Sequence, residues 1–163
     1  MRGARALGAL VAVAVFALDQ ASKFAVVHGF ASTGSAPVDI LPVLNLTLRW
    51  NPGISFSLLP QDTALGVWLL LGFTLAATGA LAVWLWRTRS ALIAFGLGAI
   101  IGGALGNAID RFSYGAVVDF LDLHLGARHF FVFNLADAAI NVGVVLLLID
   151  GLLITKAAEP AKV

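Results

Sequence analysis

Four long apolar stretches constrain this chain more than any other feature. A helix needs about 20 apolar residues to cross the hydrocarbon core of a bilayer. The four stretches reach that length, with boundaries at about 6 to 27, 63 to 86, 91 to 109 and 137 to 155. We therefore predict an all-α membrane protein with four transmembrane helices, in which residues 1 to 163 form a single integral membrane domain.

The composition supports a membrane protein and excludes several functions. Hydrophobic residues make up 60% of the chain and charged residues 12%, which leaves too little polar surface to cover a soluble core. The net charge is only +1 and the basic residues are scattered, so we expect no nucleic-acid partner. The chain has no cysteine, which excludes disulfides, a thiol nucleophile and thiolate metal sites.

The basic residues predict the orientation of the helices. Lys and Arg are enriched in cytoplasmic segments, and six of the ten basic residues fall on one predicted side: Arg2, Arg5, Arg87, Arg89, Lys156 and Lys162. Both termini are therefore expected in the cytoplasm, with segments 28 to 62 and 110 to 136 on the outer face. We expect the first span to be retained, because polar residues follow it where a signal peptide would carry small residues at its cleavage site.

Both outer segments contain strand-like sequence. LNLTLRW alternates apolar and polar residues, and AVVDFLDLHL and HFFVF are rich in β-branched and aromatic residues. We predict a small β-rich element on the outer face of the helices.

Charged residues in or near apolar spans are rare unless they are paired or functional. Asp19 and Lys23 are four residues apart in the first span, and we interpret them as a structural ion pair. Asn107, Asp110 and Arg111 would share one face if the third helix continues past its apolar stretch. For Asp110 and Arg111 two interpretations stay open, a structural ion pair and direct contact with a substrate.

A second polar group begins the fourth span. Asn134 stands at an N-cap position with Asp137 three residues on, which is the spacing of a capping box. Asn141 follows one turn deeper on the same face, so Asp137 begins a polar stripe in addition to any capping role. Asn51 belongs to a Pro-Gly turn and could serve the turn alone.

Gly98, Gly102 and Gly106 recur every four residues in the third span. Such a ladder lets two helix backbones approach closely in lipid. We expect it to be a packing face and nothing more.

Asp119 and Asp137 lie in the segment between the third and fourth spans, Asp137 where the fourth begins, and could form an acid pair. Two carboxylates that share a site cannot both ionise cheaply, so one acts as general base toward a water and the other as general acid. A helix N-terminus favours negative charge at Asp137. This chemistry needs no cofactor and no metal, and His124 and His129 lack the HExxH spacing of a zinc helix.

Two other functions remain open from these residues. Charges inside a membrane also occur in carriers and channels, where Asp19, Lys23, Asp110 and Asp137 would line an ion path. Against a carrier, the chain shows no internal symmetry. A scaffold that only packs through its glycines is the third possibility.

Four motifs resemble, in order and spacing, those of the lipoprotein signal peptidase (signal peptidase II) family: DQASK (19 to 23), NPGISFS (51 to 57), GNAIDRFSYGAVVDF (106 to 120) and FNLADAAINVG (133 to 143). The resemblance implies four transmembrane helices with a β-cradle and a capping loop on the outer face. It also implies an aspartic endopeptidase that cuts prolipoproteins before their diacylglyceryl-modified lipobox cysteine. The expected location is the bacterial inner membrane, with the active site at the outer leaflet, membrane lipid around it and the protein a monomer.

The resemblance also assigns residues. Asp119 and Asp137 would be catalytic, and the supporting or substrate-binding positions would be Asp19, Lys23, Asn51, Asn107, Asp110, Arg111, Asn134 and Asn141. Segment 38 to 59 and a loop over 110 to 130 are expected to clamp the peptide. The second motif departs from the family, which more often has glycine and alanine where Ile54 and Ser55 stand.

Overall fold

Four long helices form the body of the protein. The structure is a computed structural model that describes residues 2–33, 36–53 and 64–158. Its helices are α1 (Arg2–Thr33), α2 (Ala64–Arg87), α3 (Ala91–Tyr114) and α4 (Leu135–Ala158). Each contains a segment long and apolar enough to cross a membrane. The predicted four-helix membrane fold is confirmed.

Helix α3 is the inner helix of the bundle. Its apolar window is 61% buried inside the protein, whereas the windows of the other three helices are at most 17% buried. Glycines allow this burial, because a Cβ atom at Gly102 would lie 2.5 Å from the carbonyl oxygen of Ala12 on α1. Gly96 of α3 and Gly143 of α4 face each other in the same way. The predicted close packing through glycine is therefore present, and it extends to two neighbours of α3.

A four-stranded antiparallel sheet lies at the end of the bundle where α1 and α3 finish and α4 begins. Its strands pair in chain order and are β1 (Val38–Leu41), β2 (Leu44–Asn51), β3 (Val117–Leu125) and β4 (Arg128–Phe133). The strand-like stretches of both predicted outer segments thus pair with each other, β2 against β3. Phe120 of β3 packs on Val26 and Phe30, which attaches the sheet to α1.

The third helix is longer than its apolar stretch predicted. It continues to Tyr114 and ends at Gly115, whose φ of 72° is the left-handed C-cap conformation. Nothing before Gly115 stops the helix, since residues 107–114 contain no glycine or proline. Asp110 and Arg111 therefore lie on α3 and share a face with Asn107, as expected for a continuing helix.

The segment 110 to 130 is not a loop, and that prediction is wrong. It comprises the end of α3, strand β3 and the turn into β4, because VVDFLDLHL pairs on both sides within the sheet. The other segment expected to clamp a peptide, 38 to 59, holds β1 and β2. Ile54 and Ser55 lie outside the described residues.

Candidate active site

Asp119 and Asp137 meet at the junction of the sheet and α4. Asp119 lies on β3, and Asp137 lies in the first turn of α4. Asn134 contacts both: its Nδ2 donates to Asp119 Oδ1 at 2.7 Å, and its backbone N–H donates to Asp137 Oδ2 at 3.3 Å. A single fully buried asparagine thus bridges the two carboxylates.

The start of α4 is a reciprocal capping box, as the sequence predicted. Asn134 Oδ1 accepts from the backbone N–H of Asp137 at 2.9 Å, and Asp137 Oδ2 accepts from the backbone N–H of Asn134. The other carboxylate oxygen of Asp137 accepts from Asn107 Nδ2 at 2.8 Å. Capping therefore occupies one oxygen of Asp137 and leaves the other directed at α3.

Asp119 is held in an environment that favours its protonated form. The pKa of Asp119 is raised from an ordinary 3.8 to about 6, mainly by burial and in part by the charge of Asp137. Hydrogen bonds from Asn51 Nδ2, at 2.9 Å, and from Asn134 act in the opposite direction. Asp119 therefore keeps its proton to a higher pH than an ordinary aspartate does.

A buried charged network lies directly behind the pair. Lys23 Nζ is 2.8 Å from Asp19 Oδ2 and 2.8 Å from Asp110 Oδ2, and it donates to Asn107 Oδ1 at 2.9 Å. Asn107 in turn donates to Asp137. The predicted Asp19 and Lys23 pair is present, and Asp110 joins it as a second anion. Each carboxylate is paired with the Lys23 ammonium, which offsets part of the cost of burying these charges.

Two predicted site residues stand at the edge of this network. Arg111 Nη1 donates to the Asn107 carbonyl at 3.2 Å, and the buried Nε of Arg111 makes no hydrogen bond in the structure. Asn141 is exposed, and its Nδ2 donates to the backbone carbonyl of Asp137 at 2.9 Å. The side-chain amide of Asn141 therefore bonds to its own helix, one turn after Asp137.

The histidines of the sheet form separate contacts. His129 Nδ1 is 2.7 Å from Asp122 Oδ2, and His124 Nε2 is 2.9 Å from Asn45 Oδ1. Across residues 2–33, 36–53 and 64–158, no group of three or more His, Asp or Glu side chains could hold a metal ion. The acid pair is bonded to asparagines and makes no contact with these histidines.

Gln20 and Gly106 belong to the site although the sequence did not single them out for it. Gln20 Nε2 donates to Asp19 Oδ2 at 3.2 Å, to Asp110 Oδ1 at 3.1 Å and to the Gly106 carbonyl at 3.2 Å. A polar residue beside Asp19 in an apolar span was the available signal for Gln20. Gly106 was assigned only to packing, and its proximity to Asp19 is visible only in the folded chain.

Two carboxylates bridged by one asparagine at the end of a four-helix membrane bundle form an arrangement that can act as acid and base on one water, as in aspartic hydrolases. Comparison with known proteins makes this specific. The family model for Signal peptidase (SPase) II matches residues 11–153. The chain belongs to the signal peptidase II family and is an aspartic-type peptidase, a multi-pass protein of the bacterial inner membrane.

Individual relatives agree over nearly the whole chain. The chain is 47% identical to the lipoprotein signal peptidase of Beijerinckia indica over 157 residues, covering 96% of this chain and 94% of the relative. It is 50% identical to that of Methylocella silvestris over 154 residues, covering 94% and 90%.

Solved structures show the same architecture. A bacterial membrane enzyme determined by the in meso method at 2.3 Å resolution gives a TM-score of 0.78 at 28% identity, over 96% of this chain and 93% of that one. A second, at 1.9 Å resolution, gives a TM-score of 0.73 at 28% identity, over 88% and 90%.

Proposed function

We propose that this protein removes the signal peptides of prolipoproteins by cutting before the diacylglyceryl-modified cysteine, with Asp119 and Asp137 as the catalytic dyad. The observation that carries the proposal is the bridge through Asn134, which holds both carboxylates at one point. The family membership supports the substrate class.

The dyad activates a water without a metal. Ionised Asp137 takes a proton from the water, and the water oxygen attacks the scissile carbonyl carbon. At the same time protonated Asp119 donates its proton to the carbonyl oxygen. The tetrahedral intermediate collapses as Asp137 passes its proton to the leaving nitrogen and a hydroxyl of the intermediate returns one to Asp119. The products are a new carboxyl terminus on the signal peptide and a free amino group on the lipidated cysteine, and both acids return to their starting states.

The environment of each acid supports this assignment. The raised pKa of Asp119, caused mainly by burial, keeps a proton available for the carbonyl oxygen. Asp137 accepts hydrogen bonds from the Asn107 side chain and from the Asn134 backbone N–H. It also lies at a helix N-terminus, where negative charge is favoured. Asn51, Asn107 and Asn134 donate to the acids and fix their orientation.

The substrate reaches the dyad at the outer boundary of the membrane in this proposal. The dyad lies where the membrane-spanning helices α3 and α4 meet the sheet, so the peptide can approach from water while its acyl chains stay in lipid. Both termini would then be cytoplasmic. Asn51 and Asn141 are exposed beside the two acids and would offer polar contacts to the peptide backbone.

A matched pair of precursors tests the proposed activity. Protein reconstituted in lipid should cleave a diacylglyceryl-cysteine precursor and spare the same precursor without lipid. Asp119→Asn and Asp137→Asn should each lose turnover while still binding the lipidated precursor. Asp150→Asn, at the other end of α4, is the control and should cleave normally. Inactivation of the wild type by a metal chelator, or normal turnover by either dyad variant, contradicts the two-acid mechanism.

The ion-path alternative finds no support in the contacts. Lys23 is buried and bonded to three partners, and Asp19 and Asp110 are each bonded to Lys23 and Gln20. These side chains satisfy one another, which favours a fixed network over a path for ions. Peptide cleavage is therefore the function that the geometry favours.

A further inference from the structure

We propose that Asp19 and Asp110, joined by Lys23, are positioning residues that fix the separation of the two dyad carboxylates by holding the backbone immediately before each of them. The inference rests on the proposed function for its catalytic meaning. Its structural part can be tested without an assay of activity.

The first half of this clamp connects α1 to α4. Asp19 Oδ1 accepts from the backbone N–H of Ala136 at 2.9 Å, across 117 residues of sequence. Ala136 directly precedes Asp137. The carboxylate also lies at the start of α4, where N–H groups have no partner within the helix. Asp19 thus anchors the turn that carries one member of the dyad.

The second half connects α3 to β3 in the same manner. Asp110 Oδ2 accepts from the backbone N–H of Val118 at 3.1 Å. Val118 directly precedes Asp119. Each dyad aspartate is therefore preceded by a residue whose N–H is held by a supporting aspartate.

Lys23 joins the two halves at a fixed spacing. Its Nζ is 2.8 Å from an oxygen of each supporting aspartate. Asp19, Lys23 and Asp110 are 0%, 3% and 2% exposed, so no bulk water competes for these contacts. Moving either carboxylate would leave a buried charge poorly compensated, which is costly. The distance between the Ala136 and Val118 backbones is therefore set across a single ammonium group.

Gly106 gives Asp19 the room that it needs. A Cβ atom at Gly106 would collide with Asp19 Oδ2 and lie 3.1 Å from its Cγ. Asp19 cannot simply move aside, since Lys23, Gln20 and Ala136 already hold it. Gly106 is thus a further positioning residue.

Two substitutions at one position separate positioning from simple stabilisation. Asp110→Asn keeps an oxygen that can accept from Val118 N–H, whereas Asp110→Leu keeps none. We expect kcat to fall at most about tenfold for the first and about a hundredfold or more for the second, since misplacement by about 1 Å can cost that much. KM for the lipidated precursor should change little in both, because neither side chain contacts substrate. Equal kcat values for the two folded variants overturn the inference.

Amide hydrogen exchange tests the clamp independently of cleavage. Exchange at Val118 should stay slow in Asp110→Asn and become fast in Asp110→Leu, while exchange in α2 is the same in both. If the wild-type protein fails to cleave the precursor, the proposed function is wrong. The exchange rates at Val118 would still decide whether Asp110 holds this backbone N–H. Slow exchange in both variants overturns the clamp.

Glycine substitutions cover the case in which Asp110→Leu does not fold. Gly106→Ala pushes on Asp19, whereas Gly102→Ala pushes only on the packing contact with Ala12 and Val15. Both should lower thermal stability, but only Gly106→Ala should lower kcat per folded molecule and speed exchange at Ala136. Equal kcat values in these two variants overturn the inference.

Discussion

At the scale of single residues, asparagines fix the orientation of the two acids. Asn51 and Asn134 donate to Asp119, and Asn107 donates to Asp137. An asparagine can donate to a carboxylate without adding charge, so it orients each acid and leaves the contrast in protonation to burial and to the helix terminus. This explains how two chemically identical side chains can take opposite roles.

The raised pKa of Asp119 predicts a pH-dependent stability. Burial raises this pKa to about 6 from 3.8, so the folded protein holds the proton more tightly than the unfolded chain. The contribution of Asp119 to the free energy of unfolding is then fully present below about pH 4 and is lost as the pH rises through about 6. Asp119→Asn cannot ionise, so its Tm relative to wild type should be several degrees higher at about pH 7.5 than at about pH 4.

Thermal unfolding in detergent at the two pH values measures this difference. Asp150→Asn is the control, and its Tm relative to wild type should not follow the same trend. A Tm difference for Asp119→Asn that is constant, or that falls with pH, contradicts the assignment of Asp119 as the protonated acid.

Asn134 combines capping with the bridge between the acids, so its loss should have two separable effects. Asn134→Ala should lower stability by about 1 kcal/mol through the lost cap. It should also abolish the bond to Asp119, and kcat should fall more than the lost stability explains. Asn134→Ser is the comparison, because its hydroxyl can cap the helix but it lacks the amide that donates to Asp119. We expect it to restore Tm without restoring kcat, and recovery of both contradicts a bridging role.

At the scale of secondary structure, the sequence predicted elements well and contacts between distant elements poorly. Apolar length placed all four helices, and alternation placed the strands. The capping box at Asn134 was readable because its partners are three residues apart. The bond from Asp19 to Ala136 was not, because it joins residues 117 positions apart and depends on how α1 packs beside α4. The length of α3 was underestimated because its last turns are polar yet uninterrupted.

The helix interface between α1 and α3 should depend on glycine more than on apolar area. A Cβ atom at Gly98 would collide with the backbone of Gly8, whereas at Gly72 of α2 it would meet nothing within 4 Å. Gly98→Ala should therefore destabilise the protein by about 1 to 3 kcal/mol through overpacking. Gly72→Ala should be neutral or slightly stabilising, since alanine is the better helix former. Thermal unfolding of both variants makes the comparison, and equal Tm values would contradict backbone contact.

At the scale of the whole molecule, the sheet and the dyad occupy one end of the bundle, and Arg2, Arg5, Arg87 and Arg89 lie near the other. This asymmetry predicts that the catalytic end faces away from the cytoplasm. Because the chain has no cysteine, a single introduced cysteine is the only thiol that a labelling reagent can modify. Phe130→Cys on β4 should react with a membrane-impermeant thiol reagent in spheroplasts, and Arg89→Cys should react only after lysis. The reverse pattern would overturn the orientation.

The central claim is that Asp119 and Asp137 act as one unit on one water. The most direct measurement is turnover of the diacylglyceryl-cysteine precursor by Asp119→Asn, by Asp137→Asn and by the double variant. Groups that act together are strongly non-additive, so each single variant should lose about a thousandfold or more and the double variant should lose little further. Losses that multiply in the double variant, or substantial turnover in either single variant, would contradict a shared site.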